Sequence, residues 1–309
     1  MDILTDILNS SGLATSLLTK HSFYDSWAMK FPCNKSMGFH LVTQGTAYIR
    51  SPKLKELLVL QKGDLVMIKR GLDHEIATDA KAKLKELDSN TLLSSSSKSS
   101  KKEKPTLTLV SGLYQFRTEP IHPLFSEIPN YIVIRSEELA PHSPLFVAQQ
   151  LLSMEMAHSN LGTDAITKNL VDILFHYIFR KWLENKPEKK TCWSMALKDE
   201  HLQKALSSMH EKPQHSWSLD ELSAVAGISR AAFALKFKKI TGDTPAHYLT
   251  RIRIQHSMDL LRISNDNLDK ITESVGYGDS FVFSKAFKRT LGISPKEYRK
   301  SLTDEKQAQ

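Results

Sequence analysis

The stretch VGYGDSFVFSKAFKRTLGISPKEYR, residues 275–299, decides the fold of the C-terminal part of this 309-residue chain. An earlier segment repeats its pattern fifty positions upstream: Phe233, Phe237, Lys238, Lys239, Gly242, Pro245 and Tyr248 recur as Phe283, Phe287, Lys288, Arg289, Gly292, Pro295 and Tyr298. Further upstream the offset is forty-nine, because Gly227 matches Gly276, so the second copy has one additional residue around Gly278. Such an internal repeat indicates a duplicated structural unit.

Each copy has the pattern of a helix-turn-helix. In the first copy, Ser218 and Glu221 form a capping-box sequence that begins one helix. Gly227 supplies the positive φ of a tight turn, and Ser229 caps the following helix. In the second copy, Asp279 is the matching cap. The two phenylalanines of each copy lie four residues apart, on one helical face that we expect to be buried: Phe233 with Phe237, and Phe283 with Phe287.

The opposite face of each second helix is the candidate DNA-reading surface. In the first copy it consists of Arg230, Ala231, Ala234, Leu235, Lys238 and Lys239, and in the second copy of Ser280, Phe281, Ser284, Lys285, Lys288 and Arg289. The basic pair that ends each helix suits contacts to phosphates. Between the copies, residues 245–263 predict one uninterrupted helix with proline in its first turn. Nineteen residues span about 28 Å, close to the ~34 Å that separates successive major grooves on one face of DNA.

Composition limits the other classes of function. The formal net charge is +8 and the isoelectric point about 9.2, which favours an anionic partner. Only Cys33 and Cys192 occur, in no metal or redox spacing, so neither a disulfide framework nor a cysteine zinc site is expected. No apolar run approaches the roughly 20 residues of a membrane span. The N-terminal segment carries Asp2 and Asp6 where a signal peptide has basic residues, and its apolar spacing predicts a short amphipathic helix, so we expect a cytoplasmic protein.

The first half of the chain has the pattern of a β-domain followed by helices. Residues 37–80 alternate in short strand-like runs, and strand character resumes at LTLVSGLYQF, residues 107–116. The serine and lysine tract between them, residues 88–105, predicts a disordered loop inside this domain. From residue 145 the apolar period becomes helical and predicts two helices around the turn SNLG. A polar connector, residues 182–193, is the best domain boundary.

At residues 193–300 the chain resembles the AraC/XylS family of bacterial transcription regulators, most clearly in the stretch 275–299. The resemblance implies two helix-turn-helix units joined by a long helix, with promoter DNA and RNA polymerase as partners. Ser257 stands where the family usually has alanine. The family's base-reading positions in the first copy fall on Ala231, Ala234 and Leu235, which offer no paired hydrogen bonds and suit thymine methyl groups or shape readout. In the second copy Ser280, Ser284 and Lys285 have more capacity for direct readout.

The N-terminal part resembles the cupin-type sensor domain of one branch of the same family. GDLVMIKRGLDH, residues 63–74, matches the second cupin motif with Lys69 in place of proline, and FHLVTQG, residues 39–45, matches the end of the first. In catalytic cupins a metal is held by three histidines and a glutamate. Here His74 fills one histidine position, but the glutamate position falls on Gly38. We therefore expect no metal, no cofactor and no catalytic residues.

Inside the barrel, His40 and His74 are expected to meet, and with Val42 they are the candidate effector pocket. The alternative is that both histidines are hydrogen-bonded core residues. Cys33 is expected either near the pocket mouth, where it responds to oxidants, or simply packed. The helices of residues 145–184 have two equally weighted interpretations, a dimer interface or a lid over the barrel.

Together these features predict an α+β chain of two domains, with an N-terminal cupin-like β-barrel (jelly roll) plus helices and an all-α tandem helix-turn-helix domain. The expected segments are a sensor domain at 1–144, a helical hairpin and linker at 145–192, the DNA-binding domain at 193–302 and a flexible tail at 303–309. The predicted function is a ligand- or stress-responsive, sequence-specific transcription regulator. A homodimer is the candidate assembly, and the expected effector is an unknown small molecule. Two alternatives are a metal-dependent cupin enzyme that carries a DNA-binding domain and an architectural DNA-binding protein without ligand control.

Overall fold

A computed structural model describes residues 3–31, 33, 35–84, 104–116, 121–158, 160–186 and 192–307. The chain forms two compact units. The sheet unit comprises residues 14–116 and 128–186, and the helical unit comprises residues 1–13, 117–127 and 187–309. This division differs from the expected segments in two respects. Residues 3–13 and 121–127 group with the C-terminal helices rather than with the sensor domain, and the helices of residues 145–186, expected as a separate segment, group with the sheet. The serine and lysine tract lies almost wholly outside the described residues, as does much of the polar connector.

Within its described residues the sheet unit contains eight strands in an antiparallel sheet, in agreement with the predicted cupin-like α+β fold. The strands are β1 Leu13–Phe23, β2 Ala28–Phe31, β3 Ser36–Arg50, β4 Leu58–Gln61, β5 Leu65–Ile68, β6 His74–Ala77, β7 Leu107–Phe116 and β8 Tyr131–Ile134. The long strand β3 joins two halves of the sheet. Its first part pairs with β5 and β7, and its last part pairs with β4 and β6. The inward side chains of both halves enclose the apolar core that surrounds Val42.

Two helices cover one side of this sheet. They are α3 Pro144–Glu155 and α4 Thr163–Asn185, which follow the short helix α2 Pro123–Ser126 in the chain. The buried face of α4 packs on strand β7, where Tyr114 donates a hydrogen bond of 2.6 Å to the carbonyl of Val171 and its ring lies 4.8 Å from that of Phe175. The predicted pair of helices is therefore present and is anchored to the sheet.

The helical unit contains the predicted tandem repeat. Its N-terminal helix is α1 Ile3–Ser10, and its C-terminal helices are α5 Trp193–Ala196, α6 Glu200–Glu211, α7 Leu219–Ala226, α8 Arg230–Thr241, α9 Pro245–Ile263, α10 Leu268–Ser274, α11 Ser280–Leu291 and α12 Pro295–Gln307. Helix α9 has the predicted bounds. Helix α12 continues into the segment expected to be a flexible tail, where Asp304 to Gln307 are all compatible with a helix. None of the described helices is long and apolar enough to cross a membrane.

Candidate nucleic-acid interface

Helix α8 is the second helix of the first helix-turn-helix. The Ser218 hydroxyl accepts from the Glu221 amide while the Glu221 carboxylate accepts from the Ser218 amide, so the predicted capping box is formed. Gly227 has a φ of 71° and Ser229 caps α8. Phe233 and Phe237 are fully buried. On the opposite face Arg230, Ala231, Leu235, Lys238 and Lys239 are exposed and Ala234 is half-buried.

Helix α11 repeats this arrangement in the second copy. Asp279 caps it by accepting from the Val282 amide at 2.8 Å. Phe283 and Phe287 are fully buried, whereas Phe281, on the other face, is 77% exposed. The remaining predicted contact residues share that outer face: Lys285, Lys288 and Arg289 are exposed, and Ser280 and Ser284 are half-buried. A large aromatic ring left in water at the start of a helix is available to a partner.

Both helices expose a large apolar side chain. Leu235 of α8 is 72% exposed, which compares with the exposed Phe281 of α11. The two helices differ in their polar groups. Helix α8 presents alanine and leucine between its capping residue and its terminal lysines, whereas α11 presents two hydroxyls and an additional lysine. Thymine methyl groups are the apolar feature of the major groove, and hydroxyls and lysine hydrogen-bond base edges. The two surfaces therefore suit different kinds of readout.

The basic side chains on the outer faces of these two helices make no ion pair with an acid in the part of the chain that the structure describes. Among the described residues, the side chains of Lys238, Lys239, Lys285, Lys288 and Arg289 form neither a hydrogen bond nor an ion pair. The charge of Lys288 adds, after the hydrogen bonds from Ser294, to the lowered pKa of the Glu297 carboxyl. Other cations of the same unit are held within it: Lys236 by Asp199 at 2.6 Å, Arg262 by Asp259 at 2.6 Å and Lys270 by Asp266 at 2.7 Å. The free cations thus lie on the face that the sequence predicts for DNA.

Arg230 differs from the other predicted contact residues because it has a partner. Its Nη1 donates to both carboxylate oxygens of Asp220, at 2.9 Å and 3.2 Å. Both side chains are exposed, so this pair is worth little to stability. A phosphate can replace Asp220 as its acceptor.

The two helix-turn-helix units are joined by more than the linker helix. Arg253 of α9 donates through Nε to the carbonyl of Pro213 at 2.7 Å and through Nη2 to that of His215 at 2.9 Å. Its guanidinium also lies 5.4 Å from the centre of the Tyr277 ring. Pro213 and His215 precede α7 in the first copy, and Tyr277 lies in the turn of the second. One side chain therefore contacts both copies.

The sheet unit brings His40 and His74 together, with 2.7 Å between their Nε2 atoms. Since a carbonyl only accepts, the His74 Nδ1 at 3.1 Å from the Leu72 oxygen carries the proton. His74 Nε2 then accepts from His40 Nε2, and His40 Nδ1 accepts from the Ser111 hydroxyl at 2.8 Å. Burial lowers the pKa of His74 to about 4 and that of His40 well below its usual range, so both rings are neutral.

The third predicted pocket residue, Val42, lies in the apolar core of the same unit and is fully buried. His40 and His74 are 0% and 1% exposed, so a ligand that contacts this set has to displace side chains. The interpretation of the pair as hydrogen-bonded core residues describes its geometry, and its role as an effector pocket stays a prediction.

Cys33 is packed beside this pair rather than exposed. It is fully buried, its Sγ lies 3.9 Å from His74 Nδ1, and burial raises the pKa of its thiol to about 11. A Cβ at Gly38 would lie 3.3 Å from that sulfur and 3.2 Å from His74 Cε1, so this backbone position faces the histidines without supplying a carboxylate. Within the described ranges, no three His, Cys, Asp or Glu side chains are placed to bind a metal ion.

A buried polar network in the helical unit was missed by the sequence analysis. Asp6 of α1 pairs with His210 Nδ1, and His210 Nε2 accepts from or donates to the Tyr248 hydroxyl at 2.8 Å. The His122 ring lies 4.3 Å from the Trp193 ring. The residues that meet here are as much as 204 positions apart, so no local pattern announces the contact. The signal in the sequence was Asp6, an acidic residue on the otherwise apolar face of α1.

The profile of the cupin family matches residues 2–184, and that of the helix-turn-helix domain matches residues 222–301. A protein described as an AraC-like transcription regulator in Streptomyces lividans is 28% identical over 98% of this chain and 98% of its own. The transcriptional regulator AlkR of Acinetobacter baylyi is also 28% identical, over 97% of this chain and 99% of its own. The crystal structure of ToxT from Vibrio cholerae covers 94% of this chain and 98% of that one, with 12% identity and a TM-score of 0.37.

Proposed function

The chain belongs to the AraC/XylS family of transcription regulators, in the branch with an N-terminal cupin domain, and it is a DNA-binding regulator; from this premise we propose which residues read the DNA. Helix α8 uses Ala231, Ala234 and Leu235 for thymine methyl groups and shape. Helix α11 uses Ser280, Phe281, Ser284 and Lys285 for base edges. Arg230, Lys238, Lys239, Lys288 and Arg289 bind phosphates.

The observation that carries this proposal is that both copies expose an apolar or hydroxyl surface beside lysine or arginine side chains that form no ion pair among the described residues. Lys238 and Lys288 occupy equivalent positions and are both exposed. Each phosphate contact releases condensed counterions and steepens the salt dependence of binding, whereas base contacts discriminate between sequences. Substitutions of phosphate-binding residues are therefore expected to change the salt dependence of binding, and substitutions of base-reading residues are expected to change the preference for the operator sequence.

The test measures binding of the purified full chain to the region upstream of its own gene, with scrambled competitor and a salt series. Replacing Ser284→Ala together with Lys285→Ala lowers the preference for operator over competitor by about tenfold to a hundredfold, and replacing Lys238→Ala with Lys288→Ala lowers the salt slope by about two. Lys204→Ala, in an exposed pair with Glu200, is the control and leaves both quantities unchanged. Binding that competitor removes equally well would contradict sequence-specific readout by the unliganded protein and favour the architectural alternative.

A small-molecule or stress signal controls this binding in the proposed mechanism. The effector shifts the population between states of different operator affinity. The interior at His40, Val42 and His74 is the first proposed effector site, and a molecule bound there replaces the hydrogen bond between the two rings. The protein is proposed to act in the cytoplasm, with RNA polymerase as a further partner and without an enzymatic activity of its own.

We also propose that the chain forms a homodimer through the outer face of α3 and α4. Val147, Leu151 and Met154 lie at helical spacing on α3 and are 40%, 47% and 66% exposed. Ile166 and Ile173 of α4 are 45% and 44% exposed. The inner face of α4 packs on the sheet, so the helices cover the barrel with one side and leave an apolar side in water. Sedimentation equilibrium of Leu151→Asp with Ile173→Asp is expected to give a monomer, and a wild-type chain that is itself monomeric overturns the proposal.

A further inference from the structure

Helix α11 begins with two adjacent apolar side chains that are left in water. Phe281 is 77% exposed and Val282, the next residue, is 54% exposed. In the part of the helical unit that the structure describes, every other phenylalanine is 3% exposed or less. The fold therefore buries its other phenylalanine rings and leaves this one, with a second apolar group beside it, available to a partner.

The backbone that carries this apolar pair is already fixed. The Asp279 carboxylate accepts from the Val282 amide at 2.8 Å, and the Asp279 carbonyl accepts from the Phe283 amide at 3.0 Å. Phe283 is fully buried on the opposite side of the same turn. Binding through Phe281 thus orders little more than one side chain, which keeps the entropic cost of the contact low.

The charges around the pair indicate what kind of partner it meets. Lys285 and Lys288 follow Phe281 by four and seven residues, so the three side chains share one helical face. Both lysine side chains are exposed and form no ion pair among the described residues. An apolar patch between cations is complementary to a polyanion that carries an apolar group. In the major groove of DNA that group is the 5-methyl group of thymine.

We propose that Phe281, with Val282 beside it, packs on the methyl group of a thymine in the half-site that α11 contacts. This inference rests on the proposed DNA contacts and names the feature of the base that Phe281 reads. Lys285 and Lys288 hold the helix in the groove while the ring excludes water from the methyl group. A cytosine or a uracil at that position lacks the methyl group and leaves the ring unpacked.

The two copies carry their large apolar groups at positions that are not equivalent. The counterpart of Phe281 in α8 is Ala231, and the large apolar side chain of α8, Leu235, stands at the counterpart of Lys285. Four residues correspond to about 6 Å along a helix, whereas neighbouring base pairs are about 3.4 Å apart. The two methyl contacts therefore fall on different base pairs of the two half-sites. An operator built this way is read in one orientation.

The test measures binding of the purified full chain to the segment upstream of its own gene, with each thymine replaced in turn by deoxyuridine. Uracil keeps the hydrogen-bonding groups of thymine and lacks only the methyl group. For the wild type, uracil is expected to weaken binding about fourfold at one or two thymines in each half-site, the value of one buried methyl group. These positions are expected to differ once the half-sites are aligned.

Two matched variants assign the methyl contacts to the helices. Phe281→Ser is expected to abolish the effect of uracil in one half-site and to leave it in the other, and Leu235→Ser is expected to do the reverse. Phe281→Leu keeps an apolar side chain and retains the effect. Both residues are exposed, so the variants are expected to keep the melting temperature of the wild type, which excludes unfolding as the cause.

A second pair of duplexes isolates the methyl group at the thymine assigned to Phe281. With 5-methylcytosine there, the wild type is expected to bind about fourfold more tightly than with cytosine, and Phe281→Ser is expected to bind both equally. A ring that intercalates between base pairs would bind the thymine and uracil duplexes equally and would overturn the proposal.

The outcomes separate this inference from the proposed function. Specific binding of the unmodified operator, without an effect of uracil that Phe281→Ser removes, overturns the methyl contact alone. Equal binding of the unmodified operator and scrambled competitor overturns the proposed base readout, and the methyl contact with it.

Discussion

At the scale of single residues, burial keeps His40 and His74 of the sheet unit in the neutral form. The chain of hydrogen bonds from Ser111 through His40 and His74 to the Leu72 carbonyl uses every ring nitrogen once. Protonating His74 Nε2 would place two N–H donors face to face, and protonating either ring would put a charge in a fully buried site. His21 is also buried, which lowers its pKa to about 4. The arrangement thus suits a core that is stable at neutral pH and sensitive to acid.

This arrangement predicts a loss of stability as the pH falls. The unfolded histidines bind protons below about pH 6.5, whereas folded His74 resists protonation until about pH 4, so the free energy of unfolding decreases between these values. At pH 5 the loss is about 2 kcal/mol for His74 alone. Urea unfolding at pH 7 and pH 5 measures it. The double variant His40→Leu with His74→Leu is expected to lose less between these pH values than the wild type.

Exposed His158 supplies the control for this measurement, because His158→Gln removes a histidine without changing the buried pair. Its loss between pH 7 and pH 5 matches that of the wild type. A double variant as sensitive to acid as the wild type would show that other groups dominate the acid response and would refute the role assigned to the pair.

At the scale of elements, the two copies of the helix-turn-helix use the same turn in different surroundings. Gly227 and Gly276 have φ of 71° and 83°, as the repeat predicts for equivalent positions. A Cβ at Gly227 would meet nothing within 4 Å, whereas one at Gly276 would lie 2.6 Å from the Gln214 Cα. Only the second turn is therefore pressed against the loop that precedes α7.

The two glycines predict unequal costs of the same substitution. Gly227→Ala is expected to lower the free energy of unfolding by about 1–2 kcal/mol, the usual cost of a left-handed alanine. Gly276→Ala adds a collision with backbone that cannot rotate away, for a further loss of about 1–3 kcal/mol. Urea unfolding followed by far-ultraviolet circular dichroism measures both. Equal losses would mean that the close approach to Gln214 relaxes without cost.

The same comparison shows what the sequence could predict. The bounds of α9, the capping residues Ser218, Ser229 and Asp279 and the buried phenylalanines follow from interactions within four residues, which a single sequence contains. The contact between Gly276 and Gln214, and that between Asp6 and His210, join residues far apart in the chain. Tertiary packing determines these partners. A local sequence pattern predicts where a turn or a helix lies, but it does not predict which distant residue contacts that turn or helix.

At the scale of the whole molecule, we expect operator recognition to depend on how firmly the two helix-turn-helix units are held together. Arg253 hydrogen-bonds the loop before α7 and stacks on Tyr277, while Gly276 allows that loop to approach the second turn. These contacts add to the linker helix and hold the loop before α7 against the turn of the second copy. Rigid coupling raises the effective concentration of the second copy once the first has bound.

Arg253→Ala is therefore expected to uncouple the two copies without removing a DNA contact. Affinity for an isolated half-site stays within twofold of the wild type, whereas affinity for the full operator falls by about tenfold, because the second contact is no longer pre-positioned. An operator with one base pair inserted between the half-sites extends the test. The altered spacing is expected to lower the affinity of the wild type and to lower that of the variant much less. Fluorescence anisotropy with half-site, full and spaced duplexes measures all three quantities. Arg262→Ala, on the same helix but paired with Asp259, behaves as the wild type. Equal losses on half-site and full operator would assign Arg253 to general stability and contradict its role in holding the spacing.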